Sequence, residues 1–294
     1  MRFHIVYRER AIRWQGNLLA TAIKDCMEEL GFEATINIDK VHPDYKNEAL
    51  FLVDPRAAVL MEGFKWAGPV FIYNVIEAYV DPENWVRQFQ SYSKGWGSKL
   101  DYVLDYSPRN VSPINSMGIK CVFAPMGYHK LFENRKEGPN IYGICFFGNW
   151  SARRRRMIGY LNKQGIKVGG QVTDEERSSG VKNANMLRSW LHLHMHQYRT
   201  TIKDNFPATR IMMLCAPNKI PVICEQCCWS PLKDGEHYIV FPKGDVKGLH
   251  RAVKNAKKSP EEMSAMAQRC YDFITTKYLF VDHLRNGFKE LGFL

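Results

Sequence analysis

No segment of this 294-residue sequence is apolar over the roughly 18 residues that a helix needs to cross a lipid bilayer. We also expect no secretory signal, because charged residues appear within the first eight positions, Met1 to Arg8, before an apolar segment builds up. The sequence shows neither an internal repeat nor a low-complexity tract. These absences argue against a membrane-spanning, secreted or fibrous protein, and they predict a soluble protein of the cytoplasm.

A second pair of closely spaced cysteines is missing as well. The eight cysteines are spread along the chain, whereas a secreted disulfide scaffold would carry them densely. Cys224 and Cys227 form one C-x-x-C motif, but a structural zinc site normally takes two such pairs. We therefore predict free thiols and no metal site.

Lysine and arginine outnumber aspartate and glutamate by 41 to 30, which gives a net charge of +11 and a pI near 9.2. Such an excess favours a polyanionic partner, which could be nucleic acid, an anionic glycan or a membrane surface. A generally basic surface on a protein that binds an anionic nucleotide explains the charge equally well. Composition leaves both interpretations open.

Short apolar runs alternate with helical patterns, which is typical of α/β folds with parallel sheets. We predict six strands that form one doubly wound sheet in the first half, at residues 3–7, 34–38, 50–53, 69–75, 102–104 and 121–124. Between the first two strands, Asn17 is predicted to cap a helix that ends at Gly31.

A polar stretch from Gly127 to Pro139 interrupts the alternation and indicates a linker. Beyond it we predict strands at 141–147, 166–168, 190–198, 221–225 and 238–241, and helices at 152–163, at 209–216 and from 245 onward. The predicted domains are two Rossmann-like units, 1–130 and 131–275, and a C-terminal helix at 276–294 that could return to the first. Two such domains are expected to face each other across a cleft, where open parallel sheets bind ligands.

The most informative segment runs from a helix start after Phe206 into a strand that ends at Glu225. The helix start offers unpaired N–H groups, and Arg210 adds a guanidinium suited to phosphate. Glu225 could accept hydrogen bonds from ribose hydroxyls. With Thr209 and Gln226 beside them, these residues predict a site for a nucleotide diphosphate.

A second candidate contact lies where a predicted strand ends at Gly148 and a helix begins after Ser151. Glycine lets backbone approach a ligand closely, and Ser151 can cap a helix whose first N–H groups face that ligand. An ordinary strand-to-helix turn would look the same, and the G-x-G-x-x-G motif of dinucleotide sites is absent. The run Arg153 to Arg156 cannot share one helix face, so some of these arginines should be solvated.

Three histidines alternate at 192, 194 and 196, so they project from one face of a predicted strand. A metal site is conceivable, but rings on a single strand splay apart and no carboxylate is near. We favour an arrangement in which His196 reaches a ligand while the other two pack internally.

In the first half, Glu77 could orient or deprotonate an acceptor hydroxyl, or simply be solvated.

Taken in order, these motifs resemble those of a group of bacterial and viral glycosyltransferases with the GT-B architecture. Residues 73–77, 104–110 and 124–128 are similar to the NxE, VWDYS and PxGY motifs of that group, and residues 147–156, 194–198 and 210–225 to its FxGxxxxRR, NxHYY and R…PVVSE motifs. The resemblance spans roughly residues 70 to 280. The chain departs from the family at His194, where asparagine is frequent, and at Met213, where glutamate is frequent.

The resemblance implies transfer of a sugar from a nucleotide-diphosphate sugar of UDP type, as co-substrate, without an obligatory cofactor or metal. It implies that Gly148 approaches the donor, Arg210 pairs with the diphosphate, Glu225 holds the ribose and His196 lines the sugar pocket. The complete predicted donor site is Gly148, Asn149, Ser151, Arg153, His194, Thr209, Arg210, Glu225 and Gln226. The predicted catalytic residues are Glu77, His196 and Arg210.

For the acceptor we predict contacts from Arg13, Trp14 and Gln15, and an inverting reaction would need a base such as Glu77 or Glu9. The excess of positive charge leads us to predict a hydroxymethylated base in the DNA of a viral system, within the host cytoplasm. One alternative is an acceptor on a cell-envelope glycan or a protein. Others are a non-catalytic protein that binds nucleotides or nucleic acid, and an epimerase of nucleotide sugars.

Overall fold

The computed structural model describes residues 1–7, 14–40, 42, 44, 47–54, 57, 60, 66–74, 100–134, 142–148, 150–169, 187–196 and 206–294. The chain divides into two compact units. Unit 1 comprises residues 1–131 and 279–294, and unit 2 comprises residues 132–278.

Strands and helices alternate along most of the chain. The strands are β1 (Arg2–Tyr7), β2 (Glu33–Ile38), β3 (Ala49–Val53), β4 (Val70–Asn74), β5 (Tyr102–Asp105), β6 (Lys120–Phe123), β7 (Tyr142–Phe146), β8 (Val168–Gly169), β9 (Ser189–His194), β10 (Val222–Glu225) and β11 (Ile239–Phe241). The α-helices are α1 (Trp14–Glu29), α2 (Pro108–Ser116), α3 (Ala152–Lys163), α4 (Ala208–Arg210), α5 (Val246–Lys258), α6 (Pro260–Lys277) and α7 (Phe280–Leu291). Helix α4 continues as a π-helical turn, Ile211–Cys215, and a 3-10 turn, Ala216–Asn218.

Unit 1 contains a parallel six-stranded sheet in the order β2-β1-β3-β4-β5-β6. The strand order reverses between β1 and β3, so the predicted doubly wound sheet is confirmed. The four interior strands β1, β3, β4 and β5 are buried almost throughout, as expected for a sheet covered on both faces.

The prediction that Asn17 caps the first helix is wrong. Helix α1 begins at Trp14, and the carbonyl of Asn17 already accepts a hydrogen bond from the Thr21 hydroxyl at 2.9 Å. Asn17 therefore has helical geometry, which a capping residue does not have. The predicted end at Gly31 is confirmed, because Gly31 has a φ of +84° and its N–H donates to the carbonyl of Glu28.

The last helix, α7, packs onto the unit 1 sheet through an aromatic cluster. The ring of Phe288 lies 5.6 Å from that of Phe3, 5.2 Å from that of Phe32 and 6.1 Å from that of Phe71. A Cβ atom on Gly287 would lie 3.1 Å from Cδ2 of Leu104, so glycine permits the close approach.

Unit 2 contains a parallel five-stranded sheet in the order β11-β10-β9-β7-β8. Helices α3 and α5 cover it through one apolar cluster, to which α3 contributes Met157, Ile158 and Leu161 and α5 contributes Leu249, Val253 and Ala256. Helix α3 begins where predicted because the Ser151 hydroxyl accepts the N–H of Arg154 at 3.2 Å. Within the described residues, no helix is both long and apolar enough to span a bilayer.

Candidate functional site

The candidate site lies at the carboxyl edge of the unit 2 sheet. Strands β7, β9 and β10 are neighbours there, and they end at Phe146, His194 and Glu225. Because the strands are parallel, the residues that follow these three ends meet at one edge of the sheet. His194 and Glu225 belong to the predicted donor site, and Gly148 follows two residues after β7.

Arg210 is positioned by a histidine. Its Nη1 lies 3.4 Å from Nδ1 of His194, and since arginine can only donate, Nδ1 accepts and the ring proton of His194 sits on Nε2. Burial, and then the positive charge of Arg210 and its neighbours, holds the pKa of His194 well below its usual range. The imidazole is therefore neutral, and Arg210 carries the positive charge of this pair.

Two guanidinium groups converge at Gly148. A Cβ atom added there would lie 3.2 Å from Nη1 of Arg154 and 3.5 Å from Nη2 of Arg210. Arg154 is buried, and its Nε and Nη2 donate to the carbonyl of Met195 at 2.9 and 2.7 Å. The two cations therefore flank a short stretch of backbone that has no side chain, an arrangement suited to an anionic ligand.

Glu225 is completely buried and both of its carboxylate oxygens are engaged. Oε2 accepts from Nη1 of Arg153 at 2.9 Å and from the backbone N–H of His196 at 2.7 Å. Oε1 accepts from Nη2 of Arg153 and from the backbone N–H of Gly244 at 2.7 Å. A ribose hydroxyl would therefore have to replace one of these donors. The predicted contact between Glu225 and the ribose stays a prediction.

His196 lies two residues beyond β9 and is almost fully buried. Its Nε2 is 3.1 Å from the carbonyl oxygen of Gln226 and 3.8 Å from Sγ of Cys227. Burial opposes the positive charge of the ring, but Cys227, Glu225 and the Gln226 carbonyl outweigh it and raise the pKa of His196. The two histidines of the site thus differ, with His194 neutral and His196 more basic than usual.

The remaining predicted donor residues fall around the same edge. Ser151 caps α3, Thr209 is half-buried beside Arg210 in α4, and Gln226 is exposed directly after β10. Four other predicted site residues, Glu9, Arg13, Glu77 and Asn149, lie outside the described residues. Trp14 and Gln15 form the first turn of α1, and their predicted acceptor contacts stay predictions.

Arg154 is the site residue that the sequence did not single out. Of the run Arg153 to Arg156, Arg154 is buried, Arg153 is half-buried against Glu225, and the other two are exposed. The expectation that some of these arginines are solvated is therefore confirmed by Arg155 and Arg156. The helical period could have identified Arg154, since Met157, Ile158 and Leu161 define the buried side of α3.

His192 takes no part in the site. It is fully buried, its ring stacks on Phe147 at 6.1 Å, and neither ring nitrogen has a hydrogen-bond partner among the described residues. Burial, and then the charge of Arg210, lowers the pKa of His192 to about 3. Across the described ranges, no group of three or more His, Cys, Asp or Glu side chains is arranged to hold a metal ion.

A second polar cluster lies at the carboxyl edge of the unit 1 sheet. Asp105 is buried and accepts the side-chain N–H groups of Asn74 at 2.7 Å and of Asn110 at 3.0 and 3.1 Å. The backbone N–H of Ser107 donates to the same carboxylate at 2.8 Å. Burial raises the pKa of Asp105 to about 7, and these three donors oppose that shift. The cluster joins the ends of β4 and β5 to the first turn of α2.

The outward sides of α3 and α5 form a surface that we call the basic face. The two helices are neighbours, with the rings of Tyr160 and His250 6.1 Å apart, and neither contains an acidic residue. Asp245, the cap of α5, lies 3.2 Å from Arg251. The basic face consists of the exposed residues Arg155, Arg156, Lys163, Lys247, Arg251, Lys254 and Lys258.

Solved structures share the fold of this chain. HepE from Anabaena, solved in complex with UDP and glucose, has a TM-score of 0.63 and 10% sequence identity over 100% of both chains. Sucrose-phosphate synthase from Thermosynechococcus elongatus has a TM-score of 0.56 and 9% identity over 99% of both chains. At this identity the likeness concerns the fold alone, and it confirms the predicted α/β fold of the GT-B type with its C-terminal helices.

The same fold also occurs as part of a longer chain. TarM has a TM-score of 0.55 and 10% identity over 94% of this chain and 58% of its own. No protein-family model matches the sequence. No curated protein matches it either.

Proposed function

We propose that this protein is a glycosyltransferase that moves a sugar from a nucleotide-diphosphate sugar to a hydroxyl acceptor. The observation that carries the proposal is the convergence of Arg154 and Arg210 on Gly148, at the sheet edge where α/β folds bind ligands. The GT-B fold supports it, since HepE, which shares the fold, was solved with UDP-glucose. We therefore expect a UDP sugar as donor, either a hexose or a pentose.

The proposed chemistry is the departure of a diphosphate. As the sugar carbon becomes cation-like, negative charge builds up on the leaving phosphate, and fixed positive groups stabilise it. Arg210 supplies such a charge, and neutral His194 fixes its position without adding a second one. Nε2 of His194 is buried without a hydrogen-bond partner among the described residues, so it can donate to a ligand oxygen. A base for the acceptor is proposed at Glu77 or Glu9.

Donor binding can be measured by thermal shift with a panel of nucleotide sugars, including UDP-glucose. A bound donor at about 100 times its Kd adds roughly 2.7 kcal/mol of stability. Arg210→Met should weaken binding roughly tenfold to a hundredfold, because a charge-assisted hydrogen bond contributes about 1.5–3 kcal/mol. Arg251→Met, which removes an exposed arginine of the same unit, is the matched control. Equal donor affinity in both variants would overturn the proposed role of Arg210.

For the acceptor we propose a hydroxymethylated base in DNA, supported by the net charge of +11 and by the basic face. Phosphates of the DNA backbone would contact the basic face, and the target base would have to leave the stack or be reached through a groove. The assay incubates the accepted donor with hydroxymethylated and unmodified DNA and measures the mass of the released nucleosides. A mass gain on neither DNA, with donor hydrolysis intact, would redirect the search to glycan or protein acceptors.

A further assay distinguishes an enzyme from a non-catalytic protein that binds nucleotides or nucleic acid. An enzyme of this class should slowly hydrolyse the nucleotide sugar when no acceptor is present, and Arg210→Met should lose that activity. Retention of DNA without donor binding or hydrolysis would favour a nucleic-acid binding protein instead.

A further inference from the structure

We propose that Cys227 is the reactive thiol of this protein and that mild oxidation joins it to Cys224 in a disulfide at the edge of the candidate site. Sγ of Cys227 lies 3.7 Å from Sγ of Cys224 and 3.8 Å from Nε2 of His196. The two thiols also converge on one atom, the carbonyl oxygen of Glu225, at 3.2 and 3.3 Å. The reactivity of this thiol pair does not depend on the proposed glycosyltransferase function.

His196 favours the thiolate form of Cys227. The carbonyl of Gln226, 3.1 Å from Nε2, can only accept, so the ring carries a proton on that nitrogen. The same N–H also faces the sulfur of Cys227, 3.8 Å from Nε2, so the carbonyl and the sulfur share it. A neighbouring imidazole N–H that donates to sulfur stabilises the thiolate, which is the nucleophilic form of cysteine.

Five buried cysteines outside this thiol pair are poorly suited to react. Burial raises the pKa of Cys26, Cys145 and Cys270 to about 12. It also raises the pKa values of Cys121 and Cys215 well above the usual range. Cys227 is only partly buried and can meet an oxidant from solvent, whereas Cys224 is buried. The arrangement provides an attacking thiol and a resolving thiol.

The reaction requires an oxidant, and hydrogen peroxide is the one we name. The Cys227 thiolate attacks one peroxide oxygen, the O–O bond breaks, and a sulfenic acid forms on Cys227. The departing hydroxide takes up the proton that the thiol released on ionisation and leaves as water. The thiol of Cys224 then attacks the sulfur of Cys227, the S–O bond breaks, and a second water is released. Two thiols are oxidised to one disulfide and one peroxide is reduced to two waters.

A disulfide between Cys224 and Cys227 would alter the candidate site at the contact between Cys227 and His196. The sulfur atoms must approach from 3.7 Å to a covalent S–S distance of about 2 Å, which draws Cys227 away from the imidazole. Gln226, whose carbonyl also contacts His196, lies between the two cysteines. If the proposed function is correct, the oxidised protein should bind its nucleotide sugar more weakly, and thiol reduction should restore the affinity.

Thiol mapping without any nucleotide sugar tests the proposal. The folded protein is treated with equimolar hydrogen peroxide, alkylated, digested with trypsin and sequenced by mass spectrometry. The peptide from Ile220 to Lys233 should lose two hydrogen atoms through a bond between Cys224 and Cys227, with Cys228 alkylated. Cys227→Ser should abolish the bond, and Cys228→Ser, the matched control, should leave it intact. A bond to Cys228, or three alkylated thiols after peroxide treatment, would overturn the proposal.

A rate measurement tests the part played by His196. His196→Asn keeps the backbone N–H that donates to Glu225, and it should slow the alkylation of Cys227 by iodoacetamide roughly tenfold. An unchanged rate in a folded His196→Asn protein would contradict the assignment of His196. Because no step of either assay uses a nucleotide sugar, a failure here is distinct from a failure of the proposed function.

Discussion

The backbone N–H of His196 donates to Oε2 of Glu225 across 2.7 Å, and this bond joins the segment after β9 to the end of β10. Arg153, from the first turn of α3, binds the same carboxylate, although 72 residues separate the two in sequence. One buried carboxylate thus connects three elements that carry residues of the candidate site.

Replacing Glu225 by Gln should cost stability, because Arg153 would lose its buried counter-charge and the new amide would face N–H donors. Breaking a buried ion pair costs about 3–5 kcal/mol, and we expect a loss of about 3 kcal/mol in urea unfolding. Arg251→Met, which breaks the exposed pair with Asp245, should cost no more than about 0.5 kcal/mol. Unfolding of Glu225→Gln at the wild-type urea midpoint would contradict the internal role of this carboxylate.

Replacing two glycines of unit 2 by alanine should change the stability of the protein in opposite directions. At Gly148 a Cβ atom would lie 3.1 Å from Cζ of Phe146 and 3.2 Å from Nη1 of Arg154, so Gly148→Ala must displace the Arg154 side chain. We expect a loss of about 1–2 kcal/mol in stability and weaker donor binding. At Gly159, inside α3, a Cβ atom meets nothing within 4 Å, and Gly159→Ala should gain about 0.5–1 kcal/mol. Urea unfolding measures both, and a stabilised Gly148→Ala would refute the crowding at this turn.

The sequence was sufficient to predict the sheets because apolar runs and capping signals are local. Helix α3 spans the predicted residues 152–163, where Ser151 precedes an apolar period. The prediction for Asn17 failed because a good capping residue also occurs within a helix, and the sequence does not show which role it takes. The contacts of the site could not be predicted, since spacing does not show that Arg153 would meet Glu225 or that Arg154 would face Gly148.

His192→Leu should make the protein more resistant to acid. The folded-state pKa of His192 is lowered to about 3, so the unfolded chain takes up a proton below its ordinary value of 6.5 while the folded protein does not. The wild type therefore loses stability as pH falls from 6.5 towards 3, and the variant lacks this contribution. Acid unfolding followed by circular dichroism should give a lower midpoint pH for the variant. Equal midpoints would mean that His192 protonates without cost in the folded protein.

Asp105 should make stability depend on pH in the direction opposite to that of His192. Burial raises its folded-state pKa from 3.8 to about 7, so the folded protein retains a proton that the unfolded chain has already lost. The free energy of unfolding should therefore fall as pH rises through this window and level off above it. Asp105→Asn removes the titration, so urea unfolding at pH values near 5 and 8 should show a smaller decrease for the variant. An equal decrease in both proteins would show that the donors from Asn74, Ser107 and Asn110 keep the carboxylate ionised.

The basic face should bind polyphosphate with a strong dependence on salt. Lys254 and Lys258 point outward from the same side of α5, so Lys254→Glu and Lys258→Glu together should weaken DNA binding and reduce the slope of log K against log salt. Each lost phosphate contact on duplex DNA should reduce the slope by about 0.9.

Lys289→Glu, an exposed charge reversal on α7 in unit 1, should leave the slope unchanged. The wild type, the α5 double variant and the Lys289→Glu control are each titrated by fluorescence anisotropy with duplex DNA and, in parallel, with anionic lipid vesicles. Stronger retention on vesicles than on DNA would favour a membrane surface, and identical slopes for the α5 variant and the wild type would show that the basic face does not contact phosphate.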